Sequence, residues 1–263
     1  MTAFKGARAV IHSAAQISIS PRNKDLVWKT NVLGTENVLK AAAESGVEKL
    51  IHVSSIHAFK DNRTMVSEES GLIEKEGSTY DRSKAVSIKI VLNHPSSPEK
   101  VIICPTALLG PYDFKPSFIG RFLISLARKR VPALVSGGFD WVDVRDVARA
   151  IVKAIEKGKG IYITGGMYLP IFQLARLWCE IVQVKPPEII FPLPLAIGII
   201  SLFFPIVSLI KPDLLLTPEA LAALRWKSPI STKKAREELD YRVRPIEETL
   251  VDTYRWFKEN GYF

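Results

Sequence analysis

The feature that most constrains the fold is a rhythm of short, β-branched apolar runs separated by longer stretches of helical periodicity. Residues 9–14 (AVIHSA), 50–54 (LIHVS) and 101–105 (VIICP) are runs of this kind, without strict polar–apolar alternation. Strands buried on both faces read this way, and they belong to parallel sheets covered by helices on each side. Between the first two lies DLVWKTNVLGTENVLKAAAESG, a helical pattern ending at Gly46, a residue suited to closing a helix. Between the next two, after a loop, a helix opens near Ser78 and stops before Pro95, because the residue preceding a proline avoids helical backbone. Crossovers of this length join parallel strands. The predicted class is α/β with a parallel sheet.

After Gly110 the rhythm changes. Residues 128–130 (RKR) form a basic helix end, and WVDVRDVARAIVKAIEKG reads as one amphipathic helix with its start signals. A further strand, GIYITGG, follows at 160–166. From 167 the chain is mixed and proline-rich, and two polar amphipathic helices are predicted over 233–239 and 246–257. The expected organisation is a sheet domain over 1–166, with 110–140 contributing to a second lobe. That lobe and its closing helices occupy 167–263.

Composition narrows the function classes. The chain has 263 residues, 47% apolar and 24% charged, which excludes disorder and allows a sizeable core. The net charge of +9 admits nucleic acid, anionic lipid or a phosphorylated ligand. The basic residues are spread along the chain without a nucleic-acid motif, so no nucleic-acid partner is expected. Cys104 and Cys179 stand far apart, and His12, His52, His57 and His94 show no ligand spacing. No disulfide framework or metal site is expected, and the setting is read as reducing and cytoplasmic. The N-terminal apolar run is too short for a signal peptide.

Residues 189–210 carry no charge, which satisfies the length test for a membrane span. Pro192, Pro194 and Pro205 interrupt it and are expected to leave no clean 18-residue helix. The favoured reading is a buried or lid helix lining an apolar pocket. A segment lying on a membrane and a true span are the alternatives.

The sharpest constellation is Tyr80-Asp81-Arg82-Ser83-Lys84 at a helix opening. A spacing of four puts Tyr80 and Lys84 on one face, with Cβ atoms about 5–6 Å apart. An ammonium there is expected to lower the tyrosine pKa towards working pH, making Tyr80 a general acid or base. Ser54 and Ser55 end a buried strand, and strand ends are where open α/β sheets bind ligands.

With VIHSAA, NVLGTENVLKAA, HVSSIHAF, YDRSK, CPTALLGPYD and VDVRDVARAI, the chain resembles the extended short-chain dehydrogenase/reductases, the NAD-dependent epimerase/dehydratase family. The resemblance runs through nearly the whole chain, and it implies a Rossmann-like doubly wound sheet with a smaller substrate lobe. It implies NAD or NADP as cofactor, with Tyr80 moving a proton, Lys84 holding the nicotinamide ribose, and Ser55 binding the reacting oxygen. Asn31 would position groups beneath the nicotinamide, and His12, Ala14, Ala15, Ser54 and Pro105 would line the cofactor's path. The flavonoid-reductase-like and 3β-hydroxysteroid-dehydrogenase-like branches are the nearest, which suits an apolar small-molecule substrate. A nucleotide-sugar epimerase or dehydratase is the alternative enzyme, with Arg121 or Arg128 meeting a diphosphate. The resemblance also implies a homodimer formed through the helices carrying NVLGTENVLK and YDRSK.

One departure matters. The family's Gly-x-x-Gly-x-x-Gly turn, which lets backbone approach a pyrophosphate, does not occur in this sequence. The first strand aligns with the family's fourth, so the expectation is an N-terminally truncated sheet lacking its first three strands. About sixty residues would be missing at about 30 per strand–helix unit. The remnant would be four contiguous strands with the first as an exposed edge. A non-catalytic remnant, serving as a binding or regulatory module, is the reading from a different class.

Overall fold

The computed structural model describes residues 2–17, 23–61, 64–95, 98–210, 217–226 and 228–263. In chain order its elements begin with β1 (Ala9–His12), α1 (Lys24–Trp28), α2 (Gly34–Glu44), β2 (Lys49–Val53), α3 (Thr79–Asn93) and β3 (Glu99–Pro105). They continue with β4 (Ala107–Leu109), α4 (Phe118–Ala127), β5 (Ala133–Val135), β6 (Gly138–Asp143), α5 (Val144–Lys157) and β7 (Gly160–Thr164). The rest are β8 (Met167–Pro170), α6 (Ile171–Ile181), β9 (Ile189–Phe191), α7 (Leu193–Ile210), α8 (Pro218–Ala223), α9 (Lys233–Leu239) and α10 (Ile246–Glu259). The chain divides into two compact units. The first comprises Met1–Thr106, Asp146–Gly165 and Ser228–Arg242, and the second Ala107–Arg145, Gly166–Lys227 and Val243–Phe263.

The first unit is built on a four-stranded, wholly parallel sheet ordered β1-β2-β3-β7. The α/β class with a parallel sheet is thus what the chain adopts. Leu50, Ile51, Val101, Ile102, Ile103 and Ile163 are fully buried, as expected of central strands covered on both faces. β1 is an edge of this sheet, and its Ile11 is exposed. Ser78 caps α3 by accepting from Asp81 N while the Asp81 carboxylate accepts from Ser78 N, a reciprocal box contributing about 1 kcal/mol. At the end of α2, Gly46 takes φ +69°, a left-handed conformation that costs glycine nothing. Residues 228–242 return to this unit: Lys234 Nζ donates to Ile161 O at 2.9 Å and Tyr241 Oη to Gly165 O at 2.7 Å.

The second unit has its own core, centred on Leu123, Trp141, Leu174, Trp178, Leu250 and Phe257. Around it stand a β4-β6-β8 sheet and a β5-β9 pair, neither visible as a period in the sequence. Two expectations are corrected here. Trp141, Val142 and Asp143 are not helical: β6 takes them up by pairing parallel to β4 and antiparallel to β8. The helix begins only after Asp143, whose carboxylate accepts from Arg145 N at 2.7 Å. The prolines also fail to break 193–210, which is an 18-residue helix. Pro194 falls in the first turn, where no backbone donor is needed, and at position 205 the helix forgoes one bond. No helix among the described residues is long and apolar enough to cross a membrane.

Candidate active site

The residues assigned to catalysis and to lining the cofactor's path all lie in the first unit. Parallel registers fix their level: His12 is opposite His52, Val53 opposite Ile103, and Pro105 opposite Thr164. Ala14 and Ala15 after β1, Ser54 and Ser55 after β2, and Pro105 at the end of β3 therefore leave the sheet at its C-terminal edge. Ser55 then opens a short 3-10 turn, its Oγ accepting from His57 N at 3.2 Å.

α3 brings Tyr80 and Lys84 to this edge. The Tyr80 phenol is hydrogen-bonded to the Ser55 hydroxyl. Lys84, only 3% exposed, donates from Nζ to Val53 O at 3.0 Å and lies 5.9 Å from the centre of the Tyr80 ring. The expectation that Lys84 sets the tyrosine pKa is corrected by the surroundings. Burial pushes the phenol up to about 12, with the Ser55 hydrogen bond working against it. Burial likewise brings the Lys84 ammonium down to about 8 and raises the neighbouring Cys104 thiol to about 12. The setting penalises charge of either sign.

Asn31 sits in a π-helical turn, Lys29–Leu33, between α1 and α2. Such bulges frequently mark functional positions, and this one turns a buried amide towards three partners. Asn31 Oδ1 accepts from Gln16 N at 2.8 Å, and Nδ2 donates to Gln16 O at 3.1 Å and to Ser83 Oγ at 2.9 Å. Ser83 Oγ in turn donates to Tyr80 O at 2.7 Å. Asn31 thus reaches the Tyr80 helix through Ser83, while tying down the segment that follows β1.

His12 is buried and meets Thr35 Oγ1 at 3.1 Å; Thr35 donates to Asn31 O at 2.7 Å. His52 meets Ser87 Oγ at 3.0 Å, and Ser87 donates to Lys84 O at 2.9 Å. Each hydroxyl has spent its proton on a carbonyl, so each imidazole must donate from Nε2. The His52 Nδ1 lone pair is left without a hydrogen-bond partner. Burial, then Lys84, lowers the pKa of His12, and burial, Lys84 and His12 lower that of His52 well below the ordinary value. Both rings are neutral members of the polar layer beneath Lys84.

Sequence reading missed Thr35, Ser83 and Ser87 as supports, and it reads His52 as structural, which its burial beside Ser87 matches. Thr35 lies four residues after Asn31, and Ser83 and Ser87 lie three residues after Tyr80 and Lys84, so helical spacing held the signal. Ala14 is exposed, and Ser54 Oγ lies 3.5 Å from Lys84 O. In the second unit, Arg128 donates to Tyr262 O at 3.0 Å, and Arg121 lies over the Phe118 ring at 4.8 Å. Among the described residues no cluster could hold a metal ion.

Residues 1–165 match the family described as the NAD dependent epimerase/dehydratase family. The chain is similar to sterol demethylase protein B of Methylococcus capsulatus, 30% identical over 98% of this chain and 81% of that protein. It is also similar to a putative dihydroflavonol 4-reductase of Synechocystis, 25% identical over 98% of this chain and 78% of the other. Among solved structures, gox2253 superposes with a TM-score of 0.83 at 29% identity, covering 100% of this chain and 82% of that one. With Ser55, Tyr80 and Lys84 gathered at the sheet's C-terminal edge, and the match running through both strands and helices of the first unit, the chain belongs to the NAD-dependent epimerase/dehydratase family.

Proposed function

We propose that this chain is an NAD(P)-dependent oxidoreductase acting on a carbonyl or hydroxyl group of an apolar small molecule. The observation that carries the reading is the meeting of the Ser55 hydroxyl, the Tyr80 phenol and the Lys84 ammonium at the ends of β2 and β3. The similarity to a sterol demethylase protein and to a putative dihydroflavonol 4-reductase supports an apolar substrate.

The residues fit one end of the cofactor. Lys84 spends one of its three N–H donors on Val53 O, which leaves donors for a ribose hydroxyl, and Tyr80 stands beside it. His12, Ala14, Ala15, Ser54 and Pro105 would line the cofactor's path along the same sheet edge. For the pyrophosphate end no Gly-rich turn is present in the sequence, and β1 is left as a sheet edge. The proposal therefore includes a strand–turn unit, outside these residues, that pairs on the β1 side and holds the phosphates.

When bound, the nicotinamide supplies or accepts the hydride. In the reducing direction Tyr80 hands its proton to the substrate oxygen as negative charge develops there. Its raised pKa ensures that the proton is present at neutral pH. Ser55, bonded to the same phenol, orients the reacting oxygen, and Lys84 stabilises the phenolate left behind. Asn31 acts through Ser83 as a positioning residue. Two copies pairing through α2 and α3 belong to the same proposal, which light scattering after size exclusion tests.

Fluorescence titration with NADH and NADPH, followed by turnover with carbonyl substrates, tests the reading. Tyr80→Phe is expected to keep cofactor binding and lose turnover. Turnover retained in that variant overturns the mechanism.

A further inference from the structure

Residues 189–203 of the second unit carry an apolar surface that is exposed in this structure. All three β9 side chains are exposed, with Ile189 at 57%. On α7, Leu195, Ile199, Leu202 and Phe203 are exposed, Leu202 at 72%. Steps of four, three and one residues place these four on a single arc of the helix. From the other side of α7, Leu193 and Ala196 are buried in the unit's core, with Ile197 and Ile200 packed against it. The helix is apolar on both faces, and protein satisfies only one. A helix apolar all round is ordinarily enclosed, in protein or in lipid. Single exposed apolar residues need no explanation, but seven within fifteen positions do.

Charge selects the occupant. β5 and β9 run parallel with Ala133 opposite Ile189, so the segments entering the two strands lie at one end of the pair. Arg128, Lys129 and Arg130 lead into β5, Lys185 leads into β9, and all four are exposed. Glu188 is the single acid in those two segments, and 189–210 carries no charge at all. A smooth apolar strip bordered at one end by cations matches a bilayer interface with anionic headgroups.

We propose that β9 and the outer face of α7 dock on an anionic lipid surface. Ile189, Phe191, Leu202 and Phe203 enter the boundary between headgroups and acyl chains, and Lys129, Arg130 and Lys185 lie at the phosphates. The inner face of α7 stays on its protein core, so the element lies on the bilayer and does not cross it. The inference is independent of the oxidoreductase reading, because its readout is binding and not turnover.

Flotation of the purified chain with vesicles of phosphatidylcholine, alone or mixed with phosphatidylglycerol, tests it. The chain is expected to float with the mixed vesicles at low salt and to stay behind with phosphatidylcholine alone. Leu202→Ser combined with Phe203→Ser should weaken partitioning by more than about tenfold, since two buried apolar side chains are lost. Lys129→Ala combined with Arg130→Ala should weaken it about thirtyfold, from about 1 kcal/mol for each basic side chain at an anionic surface. Unchanged melting curves separate lost docking from lost folding. If the apolar variant does not fold, the basic variant, which alters only exposed side chains, decides. A parent chain that does not float with the mixed vesicles overturns the proposal, as do variants that float like the parent. So does an apolar variant that halves the mass in solution without changing flotation, since a second copy would then be the occupant.

Discussion

Replacing Lys84 with methionine separates what this side chain costs the fold from what it does for chemistry. Burial takes its pKa from an ordinary 10.5 to about 8. At about 1.4 kcal/mol for each unit of difference, the folded chain is penalised by about 3 kcal/mol near neutral pH for keeping the ammonium enclosed. Methionine is of similar length and carries no charge, so it removes that penalty. It also leaves Val53 O without its donor, at a cost of about 1–2 kcal/mol. We therefore expect Lys84→Met to be inactive and more stable than the parent by about 1–2 kcal/mol at neutral pH. The folded pKa lies below the unfolded one, so between about pH 8 and 10.5 the folded state binds fewer protons. The parent accordingly gains stability as pH rises through that window, whereas the variant has no such group. The gap between them should narrow by about 2 kcal/mol from about pH 7.5 to about pH 9.5. Urea titrations of both proteins at both pH values measure this. They largely cancel Cys104 and Tyr80, whose raised values act in the opposite direction in each. A variant less stable than the parent by more than about 1 kcal/mol at neutral pH, or a gap that ignores pH, refutes the reasoning.

Tyr80→Phe should lower kcat by about 10²–10⁴-fold, the range for losing a positioned proton donor, with little change in cofactor Kd. Asn31→Ala removes both bonds to Gln16 and the one to Ser83; urea titration should show a loss of about 2–4 kcal/mol. His12 and His52 have folded pKa values below the ordinary 6.5, so their neutral burial stabilises the fold fully above that pH. That stability is lost as pH falls below 6.5, by up to about 1.4 kcal/mol per pH unit for each ring, and denaturant midpoints across the acid range will show it. Burial alone would raise the Asp143 carboxyl, yet hydrogen bonds from Arg145 hold it below its ordinary value. Asp143→Asn weakens the partner of Arg145 and Arg244 and should cost about 2–4 kcal/mol in the same assay.

The chemistry-bearing residues were legible because each belongs to a local pattern. Tyr80 and Lys84 share a helix face, Ser55 ends an apolar run, and runs without strict alternation announced central strands. Their supports were only half legible: Thr35, Ser83 and Ser87 bond to carbonyls three or four residues earlier, a spacing the sequence carries, whereas their contacts to His12, Asn31 and His52 exist only in the folded chain. The tyrosine pKa was misjudged for the same reason. Spacing of four residues fixes the distance to an ammonium but says nothing of the low dielectric around both groups, and burial dominates. In the second unit the pattern rules fail differently. β4, β5 and β9 are three residues each, too short to show a period, and β6 hides inside what reads as a helix start. Helix α7 shows the limit most plainly. Proline content argued against a continuous helix, yet the first of its two prolines needs no donor and the second removes only one bond. Leu193 and Ala196 bury in the core regardless, and tertiary packing outweighs the local penalty. What packing does not explain is the opposite face of the same helix, and there the answer must come from something other than this fold.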